Sequence, residues 1–428
     1  MKIEASALCR AFSVWLGVCL VGYAFMGKGF AYLGWRPVYI GEVTLFFGLA
    51  VAVYSGRYRR WAREPFLWSL GVLGVWVAFR TLPFLGSYGV DAVRDAMIWG
   101  YGLFAAVVVA VVEPDESQLR PLARAYDLAA KAFVILAPVI WLVFMRYRSL
   151  IPVLPGSAVE LIRPKAGDIG VHLAAIAVFF MLGGTRKWRL LWYGLWAVGG
   201  FLVMSYSRAA ILTIVLPVLL VLLVQRERRW AAQFLVTAFA VMLALGVADA
   251  RIQLDRRDAS VTQIVQNAVS IFTPSEAPTL QNTKEWRLAW WEKIAGYTLL
   301  GQYFWQGKGF GVNLATDDQV PRAPSLRSPH NATMTFLARS GVPGLVLWVG
   351  TQFIWLWQIL RKYLATRAQP NPKWSKVFLF LLAFWLASLI NSSFDVYLEG
   401  PMGAVWFWVV CGAGLVAARA HSLSSREA

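Results

Sequence analysis

Long apolar segments recur along most of the chain and alternate with shorter polar ones. Most are roughly as long as the helix that crosses the hydrocarbon core of a bilayer, and the shorter ones have to tilt or thin the membrane locally. The segments comprise residues 11–26, 37–54, 66–82, 96–112, 128–145, 169–184, 190–204, 211–224, 231–248, 342–360, 377–393 and 401–418. The pattern predicts an all-α polytopic membrane protein with about twelve transmembrane helices.

Basic residues gather in alternate connections between these spans. The clusters lie at residues 57–63, 186–189, 226–229 and 361–376. Placing them in the cytoplasm satisfies the positive-inside rule and puts both termini there as well. Membrane topology explains these clusters completely, so no other role is assigned to them. The same alternation places residues 249–329 outside, in the periplasm of a Gram-negative cell.

One connection is much longer than the others, and it divides the chain into three parts. We expect spans one to nine within residues 1–248, a partly helical periplasmic cap with a catalytic motif within 249–333, and the last three spans with a cytoplasmic tail within 334–428. Residues 284–300 in the cap have the spacing of an amphipathic helix. Residues 307–311, Gly-Lys-Gly-Phe-Gly, lack the spacing of a P-loop and predict a tight turn against the spans.

Composition agrees with a membrane protein. Of the 428 residues, 58% are hydrophobic and 15% are charged, whereas soluble domains carry about 25% charged residues. The formal charge of +18 could point to nucleic acid, but most basic residues flank apolar segments, so we expect no such partner.

Cys9, Cys19 and Cys411 lie in or beside apolar segments, and we expect neither a disulfide nor a cysteine metal site. No cleavable signal peptide is evident, and the first apolar segment is expected to remain as a span.

His330 is the histidine best placed for chemistry, because it lies in the outward connection just before a predicted helix. Pro329 favours an extended approach, and Asn331 is a good N-cap residue. His330 would therefore lie at the positive end of a helix, where an anion is stabilised. The alternative is a loop histidine without a role. His172 lies near the outer end of a span, and we expect it to be structural.

Two arginines on the outward side are not explained by topology. Arg208 follows Ser-Tyr-Ser at the outer end of one span, and the next span begins after almost no connection. A buried arginine there needs a partner, and its planar fork suits a diphosphate. The alternative is that Arg208 extends to the lipid headgroups. Arg287 belongs to the predicted amphipathic helix, which either faces a catalytic cavity or lies on the membrane surface.

These residues fall in motifs that resemble those of the O-antigen ligase and polymerase superfamily of bacterial membrane glycosyltransferases. The motifs are His330-Asn331 with Met334, Leu337, Gly341 and Gly344, the upstream segments 286–291 and 307–311, and Ser205 to Arg208. The chain departs from the family at Arg339, where an acid is usual, so the electrostatics around this position differ. The similarity covers mainly the C-terminal half.

The resemblance implies that a glycan is transferred from undecaprenyl diphosphate to an acceptor sugar, lipid A-core or another glycan, at the periplasmic face of the inner membrane. In this interpretation His330 is the general base, Arg208 and Arg287 bind the diphosphate, and attack inverts the anomeric centre. Asn331 and Arg339 are expected to contribute to the cavity, where Arg339 helps to shape the site. Six further outward residues are expected either to line the cavity or to form salt bridges: Arg80, Arg94, Glu42, Asp91, Asp395 and Glu399.

We expect no cofactor and no metal. Asp317 and Asp318 are adjacent acids, but no further ligand cluster lies near them, and the outward connection after the first span has no acid. The motifs do not separate a ligase, which acts on lipid A-core, from a polymerase, which joins repeat units. A polysaccharide-lipid transporter is the alternative from another class, but it would be expected to have paired broken helices at the midplane.

Overall fold

The computed structural model describes residues 2–225, 228–254, 258–273, 278–320, 326–369 and 373–427. Most of these residues are helical. Before the long connection the helices are α1 Lys2–Met26, α2 Lys28–Ala31, α3 Ile40–Tyr54, α4 Pro65–Thr81, α5 Leu85–Tyr88, α6 Val90–Gly100, α7 Leu103–Val111, α8 Glu116–Tyr147, α9 Ala166–Met181, α10 Arg189–Tyr206, α11 Arg208–Val224 and α12 Arg229–Val247. Within it lie α13 Val261–Phe272, α14 Pro278–Leu299 and α15 Leu314–Asp317, followed by α16 Ala332–Thr366, α17 Lys373–Ser392 and α18 Pro401–Glu427.

Strands are confined to two small antiparallel hairpins among the described residues. In the first, β1 Gly34–Trp35 pairs with β2 Val38–Tyr39, with Gly34 opposite Tyr39. In the second, β3 Ile252–Gln253 pairs with β4 Asp258–Ala259, with Ile252 opposite Ala259. Short 3₁₀ helices occur at Arg57–Arg63, Leu82–Phe84 and Arg148–Leu150. The all-α prediction is therefore confirmed apart from these short pairings.

Each of the twelve predicted apolar segments lies largely within a helix or a bent helix pair. By length and apolar composition, seven helices of the described chain can cross a membrane, or nine if each of two bent pairs counts as one span. The pairs are Ile40–Tyr54 with Arg57–Arg63, bent by 93°, and Val90–Gly100 with Leu103–Val111, bent by 49°. A multi-pass membrane protein is thus supported, while the number of twelve spans stays a prediction.

The core of the bundle is formed by α9, α11 and α17, which pack against one another, while α16 packs along α4 and α18 along α7. His172 on α9 is buried between the rings of Phe133 and Trp406. Its surroundings are apolar rings, so the expected structural role of His172 agrees with its packing.

The helix that follows His330 is broken at Gly341, which has φ 68° and ψ −172° within α16. This left-handed φ is accessible to glycine at little cost. The break frees the amide of Val342 to donate to the carbonyl of Phe304 at 2.8 Å. Residues 332–340 are therefore a separate helical arm that extends the span towards the site.

The predicted turn at residues 307–311 packs against this arm. Lys308 N donates to Ala338 O at 2.7 Å and Gly309 N to Arg339 O at 2.9 Å. A side chain at Gly307 would meet the backbone of Arg339 within 2.4 Å. The prediction of a tight turn that holds the connection against the helices is confirmed, and the turn fixes the arm that begins at His330.

The division into residues 1–248, 249–333 and 334–428 stays a prediction. Two helix ends lie close to it, since α12 ends at Val247 and α16 begins at Ala332. Parts of the basic clusters at 226–229 and 361–376 lie outside the described residues.

Candidate functional site

A cavity of about 820 Å³ lies at the end of the bundle that carries the long connection. Its walls come from the last turns of α8, the junction of α10 and α11, the start of α9, helices α13 and α14, His330 and the segment after α17. The predicted base and both predicted diphosphate ligands, His330, Arg208 and Arg287, line this one cavity. Proximity in space thus unites residues that are distant in sequence.

His330 is held in an unusual backbone conformation, with φ 54°. Trp291 on α14 donates from Nε1 to the carbonyl of Pro329 at 2.9 Å, which fixes the residue just before it. Asn331 caps α16 as predicted, since its Oδ1 accepts from the amide of Met334 at 3.1 Å. The ring of Trp286 packs edge-on against the imidazole at 6.1 Å between centroids. The side chain is consequently directed into the cavity rather than left in a free loop.

Arg208 is placed by the sharp junction between α10 and α11. Ser207 ends α10 and also caps α11, where its hydroxyl accepts from the amide of Ala210 at 3.4 Å. Asn267 on α13 donates to the carbonyls of Met204 and Ser205 at 3.0 and 2.7 Å. These contacts satisfy the last carbonyls of α10 and leave Arg208 in the first turn of α11, at the cavity wall.

Arg287 lies on α14, whose existence was predicted from residues 284–300. Its guanidinium carbon is 5.3 Å from the centroid of the Trp286 ring, and its Nε is buried without a hydrogen-bond partner among the described residues. Burial lowers the pKa of this guanidinium, and the charge of Asp395 opposes that change. Arg287 is half-buried and lines the cavity, and a cation with an unpaired donor in such a place is suited to binding an anion.

The cavity lining is strongly basic. Seven cationic side chains line it against one carboxylate in the described chain; the cations are Lys28, Arg148, Arg163, Lys165, Arg208, Lys284 and Arg287, and the acid is Asp395. The sequence analysis did not select Arg148, Arg163 or Lys165. A signal was present, because four basic residues, these three and Arg146, lie in one predicted outward connection and run against the positive-inside rule.

Asp395 is the residue that connects His330 to this basic wall. Lys165 donates to both of its carboxylate oxygens at 3.0 and 3.2 Å, and Nδ1 of His330 lies 3.5 Å from its Oδ1. Burial favours the neutral acid, but Lys165 and His330 outweigh it and hold the pKa of Asp395 below its ordinary value. Asp395 therefore carries a negative charge next to the imidazole.

Burial is the main influence on His330 itself. It lowers the pKa of the imidazole to about 4, with Asp395 raising that pKa and Arg287 and Lys165 lowering it further. Desolvation is thus the largest influence that keeps the imidazole neutral, and Arg287 and Lys165 are the two cations that act in the same direction.

Arg339 is not among the described residues that line the cavity, contrary to the expectation for it. It is buried, and its guanidinium donates to the carbonyls of Gly309, Val312 and Arg327 at 3.3, 3.0 and 3.4 Å. It also lies 3.0 Å from Oδ2 of Asp95 on α6. Arg339 therefore joins the helical arm, the turn at residues 307–311 and α6.

The other outward residues also form structural contacts instead of lining the cavity. Arg80 donates from Nε to the carbonyl of Gln306 at 2.6 Å, and Arg94 pairs with Asp91 at 3.1 Å on the surface. Glu42 accepts from the amide of Tyr39 at 3.0 Å and from the hydroxyl of Tyr101 at 2.7 Å. Asn331 is the N-cap residue of α16, as described above. For these residues the salt-bridge or structural expectation is the one that the contacts support.

The adjacent acids Asp317 and Asp318 are engaged by protein groups. Lys308 contacts both carboxylates, at 2.6 and 2.5 Å, and Trp290 donates to Oδ2 of Asp318 at 2.6 Å. Within the described ranges, no group of three or more His, Cys, Asp or Glu side chains could hold a metal ion. The pair of acids thus stabilises the contact between α14 and the turn.

Comparison with known proteins points to a family. Residues 193–349 match the family model described as O-antigen ligase, from the middle of α10 to the middle of α16. No curated protein matches the chain. The matched region includes Arg208, Arg287 and His330, the three residues that meet in the cavity. The match covers 157 of the 428 residues, and over this region it supports the superfamily of O-antigen ligases and polymerases.

Proposed function

We propose that this protein transfers a glycan from undecaprenyl diphosphate to the sugar of lipid A-core at the periplasmic face of the inner membrane. The observation that carries the proposal is the meeting of His330, Arg208 and Arg287 in one basic cavity. The family match supports glycosyl transfer with a lipid-linked glycan and an acceptor. The cavity supplies what that chemistry needs, namely a base and cations that bind a diphosphate.

In the proposed reaction, a hydroxyl oxygen of the acceptor attacks the anomeric carbon of the donor sugar. The new C–O bond forms as the bond to the diphosphate breaks, and the diphosphate leaves with the electron pair. Attack from the opposite face inverts the anomeric centre and needs no covalent intermediate. Arg208 and Arg287 stabilise the charge that develops on the leaving group, which is already a good one.

His330 accepts the proton of the attacking hydroxyl. A hydrogen on Nδ1 would point to Asp395, which leaves Nε2 as the acceptor. A pKa of about 4 makes the imidazole neutral but weakly basic in the unliganded protein. A bound diphosphate adds negative charge next to it, which raises the pKa and strengthens the base when substrate is present.

The proposed reaction is metal-independent, because Arg208 and Arg287 in the cavity can take the role that a divalent ion has elsewhere. Activity as a polymerase of O-antigen or exopolysaccharide is the second candidate, since the family includes both. Among the described residues that line the cavity, no contact favours a transporter over a transferase.

The experiment that tests the proposal is transfer by purified protein from an undecaprenyl-diphosphate glycan to lipid A-core. Formation of glycosylated lipid A-core is expected, and its absence with an active donor and acceptor would contradict the proposal. The lipopolysaccharide of a deletion strain separates the two candidates. Free lipid-linked long chains indicate a ligase, whereas core with one repeat unit indicates a polymerase.

A further inference from the structure

A second group of cations lines the same cavity, on elements other than those that carry Arg208 and Arg287. Arg148 follows the end of α8, Arg163 lies in the connection before α9, and Lys28 begins α2. All three line the cavity. Backbone hydrogen bonds hold two of these segments together, from Lys28 N to Arg163 O at 3.0 Å and from Arg163 N to Met26 O at 2.9 Å.

One carboxylate partly neutralises this group. Glu160 is buried and accepts from Nε of Arg148 at 2.5 Å and from Nη1 of Arg163 at 3.2 Å. Three cations therefore share a single acid, which leaves about two positive charges uncompensated. Burial lowers the pKa of Lys28, the charges of Arg163 and Lys165 lower it further, and Glu160 only partly opposes them. The group is thus under electrostatic repulsion that an anion would relieve.

The charge of the group indicates what kind of anion fits. A phosphate monoester carries about −1.5 to −2 charges at neutral pH and three acceptor oxygens. That matches the surplus of positive charge, and the guanidinium groups of Arg148 and Arg163 have a geometry suited to phosphate. Arg148 retains 55% side-chain exposure despite its bond to Glu160, so it remains accessible to a ligand.

The position of Lys165 indicates which substrate carries the phosphate. Lys165 follows Arg163 by two residues and donates to both carboxylate oxygens of Asp395 at 3.0 and 3.2 Å. Oδ1 of Asp395 lies 3.5 Å from Nδ1 of His330, so Lys165 and Asp395 connect the second cation group to the base. A ligand whose phosphate is bound by the second group would extend past Lys165 towards His330, as the acceptor of the transfer must.

We propose that Lys28, Arg148 and Arg163 form a phosphate-binding site for the acceptor saccharide, separate from the diphosphate site at Arg208 and Arg287. The site selects acceptors that bear a phosphate group and orients their hydroxyl towards His330. This inference rests on the transferase function proposed above. Glu160 accepts from both arginines and so reduces the net positive charge of the phosphate site.

The test is steady-state transfer by the full-length protein with two acceptors, lipid A-core and the same lipid A-core after removal of its phosphate groups. For Lys28→Gln and Arg148→Gln, the KM for the phosphorylated acceptor is expected to rise about ten-fold or more, with the donor KM unchanged. On the dephosphorylated acceptor, wild type and both variants are expected to have equal, elevated KM values. Arg94→Gln is the matched control, because Arg94 is an outward cation that does not line the cavity.

Several outcomes would overturn the inference. Equal KM values of wild type and variants on the phosphorylated acceptor would remove the site, and an increase in donor KM would assign the cations to the donor. An equal rise on both acceptors would mean a structural role. An effect that appears only in nanodiscs containing phosphatidylglycerol, and not in phosphatidylcholine, would assign the cations to lipid headgroups. Failure of wild type to glycosylate either acceptor would instead contradict the proposed function.

Discussion

Nδ1 of His330 lies 3.5 Å from Oδ1 of Asp395, although α16 and α17 separate the two residues in the chain. Nζ of Lys165 lies 3.0 Å from the same Oδ1 of Asp395, and this ion pair fixes the carboxylate next to the imidazole. A contact about 0.5 Å shorter would be an ordinary hydrogen bond. Catalytic hydrogen bonds often tighten when substrate binds. The proposed mechanism requires this arrangement of the imidazole, the carboxylate and the lysine.

The substitution His330→Ala is expected to abolish measurable transfer and to leave the protein folded. General base catalysis contributes about 10²–10⁴-fold to rates, and the side chain packs mainly against the ring of Trp286. The measurement is turnover by purified protein whose thermal unfolding matches wild type. His421→Ala, at the C-terminal end of α18, is the control. Wild-type turnover by a stable His330→Ala protein would remove the base assignment.

Lysine is expected to replace Arg208 or Arg287 poorly. A point charge cannot reproduce the two-pronged contact of guanidinium with a diphosphate, whereas an arginine that only extends to headgroups would tolerate the change. The expected loss is roughly 1.5–3 kcal/mol, or about ten- to over a hundred-fold in donor binding or rate. Arg94→Lys, outside the cavity, should behave as wild type. Near-normal rates in both cavity variants would leave the diphosphate site without support.

The pH dependence of transfer should reflect the pKa of His330, which burial lowers. The pKa of His330 in the unliganded protein is lowered to about 4. As pH falls, kcat/KM should therefore stay constant through pH 6.5 and decline only near the lowered pKa of about 4. The acid limb of kcat should lie at higher pH, since bound diphosphate raises the pKa. Asp395 raises the pKa of His330, so Asp395→Asn should move both limbs to lower pH. A shift to higher pH in that variant would contradict the arrangement.

Activity is expected to survive excess EDTA. The carboxylates of Asp317 and Asp318 already contact Lys308 and Trp290, and the diphosphate is assigned to arginines. The assay is transfer by purified protein with and without chelator, and Asp317→Asn is the companion variant. Loss of activity that Mg²⁺ or Mn²⁺ specifically restores would overturn this prediction.

Arg339 is expected to contribute mainly to the stability of the fold, not directly to the reaction. Replacement by glutamine breaks a buried pair with Asp95 and three contacts to backbone carbonyls. Removing one partner of a buried pair costs about 3–5 kcal/mol, so Arg339→Gln should lower the thermal unfolding temperature. Arg339→Glu should be worse, because it adds a third acid near Asp95 and Glu399. The variant Arg251→Gln is the control, since its ion pair with Asp249 is exposed. Unfolding of Arg339→Gln at the wild-type temperature would contradict this account.

The sequence predicted those features that depend on local chemistry. Apolar segments gave the positions of the helices, because a helix in lipid must satisfy its own backbone and cover it with apolar side chains. The cap at Asn331 and the sharp junction before Arg208 were predicted from short motifs and are present. The helix that carries Arg287 was likewise predicted from residues 284–300. These features need only neighbouring residues to be specified.

The tertiary structure decided which polar residues meet. Lys165 and Asp395 are far apart in the chain and pair only because the segments before α9 and after α17 converge. In the same packing, structural contacts engage Arg339, Arg80 and Glu42. Their positions in the sequence would equally have allowed a place in the cavity. Hydropathy fixes which residues form a helix but not its rotation or the path of its connections. Contacts across the bundle set both, and the composition of the site follows from them.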